Sequence, residues 1–358
     1  MFTQLLRRAA DALSHPNGFD GYAELVAPTW SSREVRGRIV AVDHGTPDSV
    51  TLTIAPNRAW NGFVAGQHTQ LSVVIDGVRH TRCYSMASST HRTGAFELTV
   101  KAHPQGTVSR HLKATAAVGQ VVGLTPAAGS FVLPGERPER VLLMSGGSGV
   151  TPVMAMLRTL CDEGHAGPIT FVHYALTEPD MIYRAELAEL AAAHPNVRLV
   201  RIFTDAPGTG DLDGFLTVDQ LDAIDARWRE ASAFVCGPAP LMDGAAAIFE
   251  AEGCAERLHT EAFTLATFVA EAASVDGALR FDVADLVVDN DGGTILSQAE
   301  AAGLTPASGC RMGICGTCTR SLTCGTVRDV ITGDLTAGTD VAIRICVSVP
   351  VGDTAVDL

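Results

Sequence analysis

A chain of 358 residues is longer than one hydrophobic core normally supports, so two to four domains are expected. Its formal charge of -14 and the lack of any basic stripe argue against nucleic-acid binding, and no apolar run approaches the ~20 residues needed to span a bilayer. Residues 9–18 are too polar for a signal peptide's apolar core, so the nine cysteines are read as ligands and thiols of a reducing, cytoplasmic setting rather than as disulfides.

In chain order, residues 1–34 form an extension in which Phe2, Leu5, Leu6, Ala9 and Leu13 fall on one face of a short predicted helix ended by Pro16-Asn17-Gly18. The extension either packs on the body of the protein or makes a peripheral membrane or partner contact. Residues 35–137 then alternate in short strands: Val35 to Val42, Val50 to Ala55, Thr69 to Ile75, Phe96 to Ala102 and Gln120 to Leu124. Turn signals stand at Thr46-Pro47-Asp48 and Asp76-Gly77. That spacing predicts a small antiparallel β-barrel.

Two constellations sit on this barrel. Arg82-Cys83-Tyr84-Ser85, placed directly after a strand, offers a guanidinium for phosphate, a ring for stacking and a hydroxyl. Gly106-Thr107-Val108-Ser109 supplies a glycine turn whose N–H groups open a predicted helix, Ser109 to Ala114, which makes a natural anion site. Together they have the form of a clamp for a flavin and its phosphates, although each tetrapeptide alone also suits an ordinary strand edge or turn.

Residues 138–257 alternate strands with helices. The apolar run Val141 to Met144 suits a parallel strand covered on both faces and leads into Ser145-Gly146-Gly147-Ser148-Gly149-Val150-Thr151-Pro152. Thr151 is the predicted helix cap and Pro152 its first residue, with Val153, Met156, Leu157 and Leu160 facing the sheet and Gly164 ending the helix. Further strands are predicted at Ile169 to Ala175, Val197 to Thr204 and Ala233 to Cys236, with helices at Met181 to Ala193, Val218 to Glu230 and Leu241 to Ala251. The pattern is a doubly wound α/β domain with a glycine-rich dinucleotide loop, though the GxGxxG fingerprint is absent. Cys236-Gly237-Pro238 should reach the same sheet edge, where the thiol either packs against a nicotinamide or is simply buried.

Residues 258–275 are read as a linker. In residues 276–358, Cys310, Cys315 and Cys318 stand in the C-x4-C-x2-C order of a plant-type 2Fe-2S loop. Cys346, in a strand-like run that it ends, supplies a distant fourth ligand. Structural zinc, the competing interpretation, usually uses two separated knuckles. Cys324 is read as a packed thiol rather than a ligand. This last segment holds 11 acidic and 5 basic residues, a balance that either steers toward a basic partner or only aids solubility.

The ordered series Gly66-Gln67, Arg82-x-Tyr84-Ser85, Gly106-x-x-Ser109, Pro126-x-x-Gly129-x-Phe131, the Gly146 to Pro152 loop, Cys236-Gly237-Pro238, Glu261-x-Phe263 and the four cysteines resembles the ferredoxin-NADP reductase superfamily. Within it, the chain is similar to reductases that carry a C-terminal plant-type ferredoxin (β-grasp) domain. The resemblance implies that Arg82 and Ser109 hold flavin phosphate and that Tyr84 and Ser85 contact the isoalloxazine. It also implies that residues Gly146, Gly147, Gly149 and Thr151 hold the pyridine-nucleotide pyrophosphate. FAD is expected rather than FMN, because the turn at Gly106 has a single glycine. The implied reaction passes hydride from NADPH or NADH to the flavin and single electrons through the cluster to a partner, with Ser85 and Cys236 nearest the chemistry. The partner is expected to be an oxygenase, a hydroxylase or a membrane-bound acyl desaturase, with the desaturase or another di-iron enzyme preferred and the protein a monomer. The alternatives are reductase service to a Rieske-type ring-hydroxylating oxygenase and a cluster-based redox sensor or carrier. Leu176 and Glu178 stand where NADPH-dependent relatives often carry an arginine, which leaves Arg184 or Arg201 as substitutes and the nucleotide open.

Overall fold

The computed structural model describes residues 29, 34–104, 106–263, 277–309, 313, 316–330 and 333–358. The predicted N-terminal helix, most of the stretch read as linker, Cys310 and Cys315 lie outside the described residues. The chain divides into two compact units, Met1–Glu261 and Ala262–Leu358. Among the described residues, no helix is long and apolar enough to cross a membrane.

The first unit begins with a six-stranded antiparallel sheet: β1 (Val35–Thr46), β2 (Ser49–Pro56), β3 (His68–Ile75), β4 (Val78–Ser85), β5 (Phe96–Lys101) and β6 (Val121–Leu124). Its order is β4-β3-β6-β1-β2-β5, and the sheet curls into a barrel whose outer strands meet at the Met86–Leu98 bridge. Alternation drives this curl, since Ile39, Val50, Leu52, Ile54, Leu71, Leu98 and Val100 all point into one core. The Asp76-Gly77 signal becomes a two-residue hairpin between Ile75 and Val78, with both residues at positive φ, 50° and 81°. The partner strand so created, β4, holds Arg82 to Ser85 within it, not after a strand as the sequence suggested. Helix α1 (Thr107–Thr115) starts two residues earlier than expected and closes the barrel with Val108 and Leu112.

The second half of this unit is an α/β sheet of β7 (Val141–Gly146), β8 (Ile169–Ala175), β9 (Val197–Phe203), β10 (Ser232–Gly237) and β11 (Leu258–Ala262), in the order β11-β10-β7-β8-β9. β10, β7, β8 and β9 are parallel neighbours, so the order reverses between β7 and β10. β11 extends the sheet past residue 257 into the stretch read as linker, because its side chains are too polar to show as a buried strand.

Helices α2 (Val150–Asp162), α3 (Arg184–Ala193), α4 (Val218–Ile224) and α5 (Ala239–Ala251) cover the sheet. The helix predicted from Met181 begins only at Arg184, after Tyr183 takes a left-handed φ of 61°. The one predicted to Glu230 stops at Ile224 and resumes as a short 3-10 turn, Trp228–Glu230, with Trp228 buried in the core. α2 is buried almost all round because it is sandwiched between sheet and barrel. Met156, expected to face the sheet, brings its methyl against Gly66 of the barrel.

The second unit contains β12 (Ala278–Phe281), β13 (Leu286–Asp289), α6 (Ile295–Ala301), β14 (Thr319–Cys324), β15 (Thr326–Asp329), β16 (Leu335–Ala337), β17 (Val341–Arg344), β18 (Ser348–Pro350) and β19 (Thr354–Val356). A mixed sheet of order β13-β12-β19-β14-β17 packs on α6, and β16-β15-β18 form a second small sheet. The parallel β12–β19 pair at its centre is the β-grasp arrangement expected for a ferredoxin.

Candidate functional site

The glycine loop and the Cys236 turn are built against each other. Register places Ser145 beside Cys236, so both strands deliver their loops to the switch point, the place where an open α/β sheet binds ligands. A Cβ on Gly149 would stand 2.1 Å from the Cys236 carbonyl oxygen, and one on Gly146 would stand 2.7 Å from Pro238 Cδ. Only glycine permits that approach, and the bare backbone it leaves is the cradle a pyrophosphate needs. Thr151 is not the cap of α2: the helix starts at Val150 after Gly149, and Thr151 Oγ1 donates to the Ser148 carbonyl at 3.1 Å. Pro152 therefore lies in the first turn rather than at its first position.

On the barrel, strand alternation puts Arg82 and Tyr84 on one side of β4 and Ser85, which is buried, on the other. Burial pushes the Tyr84 phenol well up, with the Arg82 charge opposing, so the ring stays neutral. Helix α1 lies beside β3, β4 and β5, with Gly106 at its N-cap. Among the described residues no side chain caps it and no acid sits in its first turn. Ser109 Oγ spends its bonds on the turn, accepting from His103 N at 3.2 Å and donating to Gly106 O at 3.4 Å. The backbone N–H groups of the first turn are thus the phosphate contacts on offer. These features fit a flavin with its phosphates.

Between the cradle and the barrel lies a polar cluster that sequence reasoning did not resolve. His68 opens β3 opposite Ser85, and its Nδ1 is 3.6 Å from Glu261 Oε1 on β11. Glu261 Oε2 is buried and has no hydrogen-bond partner among the described residues. Glu261 also stands near Cys236, whose thiol is held well above its ordinary range first by burial and then by that carboxylate. A buried thiol held that high stays S–H and is a poor nucleophile. Glu261 was visible only as part of a motif, and His68 lay one residue ahead of the strand predicted from Thr69 to Ile75. One strand over from Ser145, His173 is fully buried, with Nδ1 2.7 Å from Ser145 Oγ and Nε2 without a partner among the described residues. Burial pushes its pKa down to about 3, with the Lys101 charge adding.

A clasp fixes barrel to α/β sheet. Arg158 of α2 donates to Glu97 at 2.9 Å and to the Ala87 carbonyl at 2.7 Å in the barrel, grips Glu186 through two nitrogens, and lies 4.9 Å over the Tyr183 ring. The Tyr183 hydroxyl bonds Thr99 of β5. Gly66, at φ 102°, lets the barrel backbone reach Phe131, whose ring meets Phe234 of β10 edge-on at 6.0 Å. None of these contacts is local in sequence.

In the second unit, Cys318 and Cys346 are both buried. The bond from Ile345 N to Cys318 O, 3.3 Å, brings the two segments together. Gly313 N donates to Cys346 Sγ at 3.3 Å, the kind of N–H contact that cluster thiolates accept. Arg344 fixes that turn by donating to the Gly313 carbonyl and by its 3.2 Å pair with Asp329. Cys346 lies in the turn after β17 rather than at the end of a strand. Cys324 is exposed, which corrects its reading as a packed thiol. β14 carries it roughly 20 Å along an extended strand from Cys318, beyond reach of the same cluster.

Comparison with known proteins agrees with this construction. Family models match residues 46–133 as an oxidoreductase FAD-binding domain, 143–247 as an oxidoreductase NAD-binding domain and 283–351 as a 2Fe-2S iron-sulfur cluster binding domain. The chain is 37% identical to the NADPH oxidoreductase of Mycobacterium tuberculosis, over 99% of this chain and 92% of that one. It is 32% identical to the glycine betaine monooxygenase reductase subunit of Pseudomonas aeruginosa, over 92% of this chain and 96% of that one. Its fold matches phthalate dioxygenase reductase with a TM-score of 0.63 at 20% identity, covering 90% of this chain and 97% of that one. The chain belongs to the ferredoxin-NADP reductase superfamily, as an NAD(P)H oxidoreductase that joins FAD-binding, NAD-binding and 2Fe-2S domains in one polypeptide.

Proposed function

We propose that this reductase supplies electrons to a separate oxygenase, hydroxylase or membrane-bound acyl desaturase, working as a cytoplasmic monomer. The observation that carries the reading is a full-length relationship to a monooxygenase reductase subunit, in which all three modules are matched in the same order. When bound, FAD accepts hydride from NAD(P)H and returns electrons singly, which the 2Fe-2S cluster carries one at a time.

The chain's own residues bind, orient and shield. Arg82 and the first turn of α1 hold flavin phosphate, Tyr84 lends its ring to the isoalloxazine, and Ser85 presents a hydroxyl from the end of β4. Gly146, Gly147, Gly149, Gly237 and Pro238 shape the nucleotide cradle, with the Cys236 thiol as its dry wall. Cys310, Cys315, Cys318 and Cys346 ligate the cluster. His68 and Glu261 border the same crevice as a polar pair 3.6 Å apart.

The test is anaerobic reduction of the purified protein by NADH or NADPH, then mixing with cytochrome c and with acceptors captured from cytosol and membranes. Electron delivery that needs the cluster supports the reading. Rapid flavin reduction with delivery unchanged in Cys318→Ser would overturn it.

A further inference from the structure

The face that would meet the adenosine ribose lies at the carboxyl ends of β8 and β9. There the backbone is zipped together: Thr204 N bonds Ala175 O at 3.0 Å and Asp205 N bonds Leu176 O at 2.9 Å. Two arginines stand on this edge, and both are occupied. Arg201 grips Asp211 through Nε and Nη2, each at 3.0 Å, while its backbone N–H donates to the same carboxylate at 2.8 Å. That bond keeps the guanidinium pKa raised and Asp211 lowered, and the Glu178 charge acts on Arg201 as well. Arg184 pairs with Glu178 at 3.2 Å. Arg198, whose charge reaches Asp211, points its guanidinium at the Ile224 carbonyl.

The carboxylates here outnumber the cations. Asp180 closes the turn after β8 by accepting from Thr177 N and Oγ1 at 3.1 and 2.5 Å. Asp205 accepts from Thr204, and Asp213 accepts from Gly208 N at 2.7 Å. A 2'-phosphate would bring about two more negative charges to an edge whose arginines are already neutralised. A ribose 2'-hydroxyl, by contrast, is a donor, and an acid shortly after the second strand of a dinucleotide domain is the acceptor such a hydroxyl uses.

We propose that this protein selects NADH over NADPH, with Glu178 accepting the ribose hydroxyl and Asp211 withholding Arg201 from any 2'-phosphate. The inference rests on the reductase reading above and runs against the cofactor in the mycobacterial relative's name. Charge state at the ribose edge, not the glycine cradle, makes the choice, because the cradle touches parts common to both nucleotides.

Calorimetric titration of the flavin-loaded full chain with NAD+, NADP+, 5'-ADP and 2',5'-ADP tests this without turnover. NADP+ should bind at least about tenfold more weakly than NAD+, and 2',5'-ADP more weakly than 5'-ADP. Asp211→Asn, which releases Arg201, should tighten NADP+ by about tenfold and leave NAD+ within about twofold. Glu178→Gln, a change at a half-exposed side chain, should weaken NAD+ several-fold and narrow the ratio. Equal or tighter binding of NADP+ by the unaltered protein, or a ratio unmoved in both variants, would overturn the proposal. A protein that bound neither nucleotide would instead sink the reductase reading.

Discussion

The two units solve the problem of a core differently. In the flavin-nucleotide unit, β7 and β8 are buried along their whole lengths, and aromatic residues Phe171, Phe203, Trp228, Phe234 and Phe249 fill the space between sheet and helices. In the ferredoxin unit the strands are short and half-exposed, Val283, Val287 and Leu335 face solvent, and the buried cluster includes Cys318 and Cys346 themselves. A small core that includes cysteines proposed as metal ligands would draw stability from ligation, whereas the larger unit is held by apolar area and by polar pairs such as the Arg158 clasp and His91–Glu163. Trp60 and Trp228, the tryptophans among the described residues, lie in the first unit, so indole fluorescence and cluster absorbance follow the two regions separately.

The sharpest way to break that comparison is Cys346→Ser. Iron should be lost almost completely and the second unit should unfold at a much lower temperature, while the tryptophan transition keeps its midpoint; a parallel fall of both transitions would show that the units are not independent. Next in size is Arg158→Met, which removes the Ala87, Glu97 and Glu186 bonds at the barrel–sheet contact, Glu97 keeping its 2.6 Å pair with Arg92 and Glu186 facing water, and should cost the first unit about 2–3 kcal/mol in urea unfolding. Cluster absorbance should not change. Gly149→Ala drives a methyl into the Cys236 carbonyl and should cost about 1–3 kcal/mol, with nucleotide affinity falling further than stability. Full retention of NAD+ binding would refute the backbone-contact account of the cradle.

The last effect is the smallest at neutral pH and grows on acidification. Buried His173 has its pKa pushed down to about 3, so the unfolded chain takes up a proton that the folded chain refuses. Its contribution to stability is therefore complete above the unfolded value, ~6.5, and is lost as pH falls toward 3, by up to about 1.4 kcal/mol per pH unit. His173→Gln, which can still bond Ser145, should flatten that slope in the tryptophan signal between pH 6.5 and 4.5. An unchanged slope would place the acid sensitivity elsewhere.

Much of the architecture is legible in the sequence, because its signals are local. Val141 to Met144 read as a doubly covered strand, Ile169 to Ala175 was bounded as found, and Asp76-Gly77 announced its hairpin. The missed strand β4 carries His80, Thr81, Arg82 and Cys83, a half-exposed edge without clear alternation. β11 failed to show for the same reason.

Sequence by itself determined the order of the three modules and most strand periods, and it named the candidates for holding phosphate, nicotinamide and iron, since spacing and side-chain chemistry are written residue by residue. Tertiary structure alone decided that Gly149 meets the Cys236 backbone, that Glu261 reaches both His68 and Cys236, that Arg158 ties the barrel to the sheet, and that Arg184 and Arg201 already have their carboxylates. The first three are contacts between segments distant in the chain, and such contacts exist only once the parallel order β10-β7-β8-β9 has set which strand ends lie side by side.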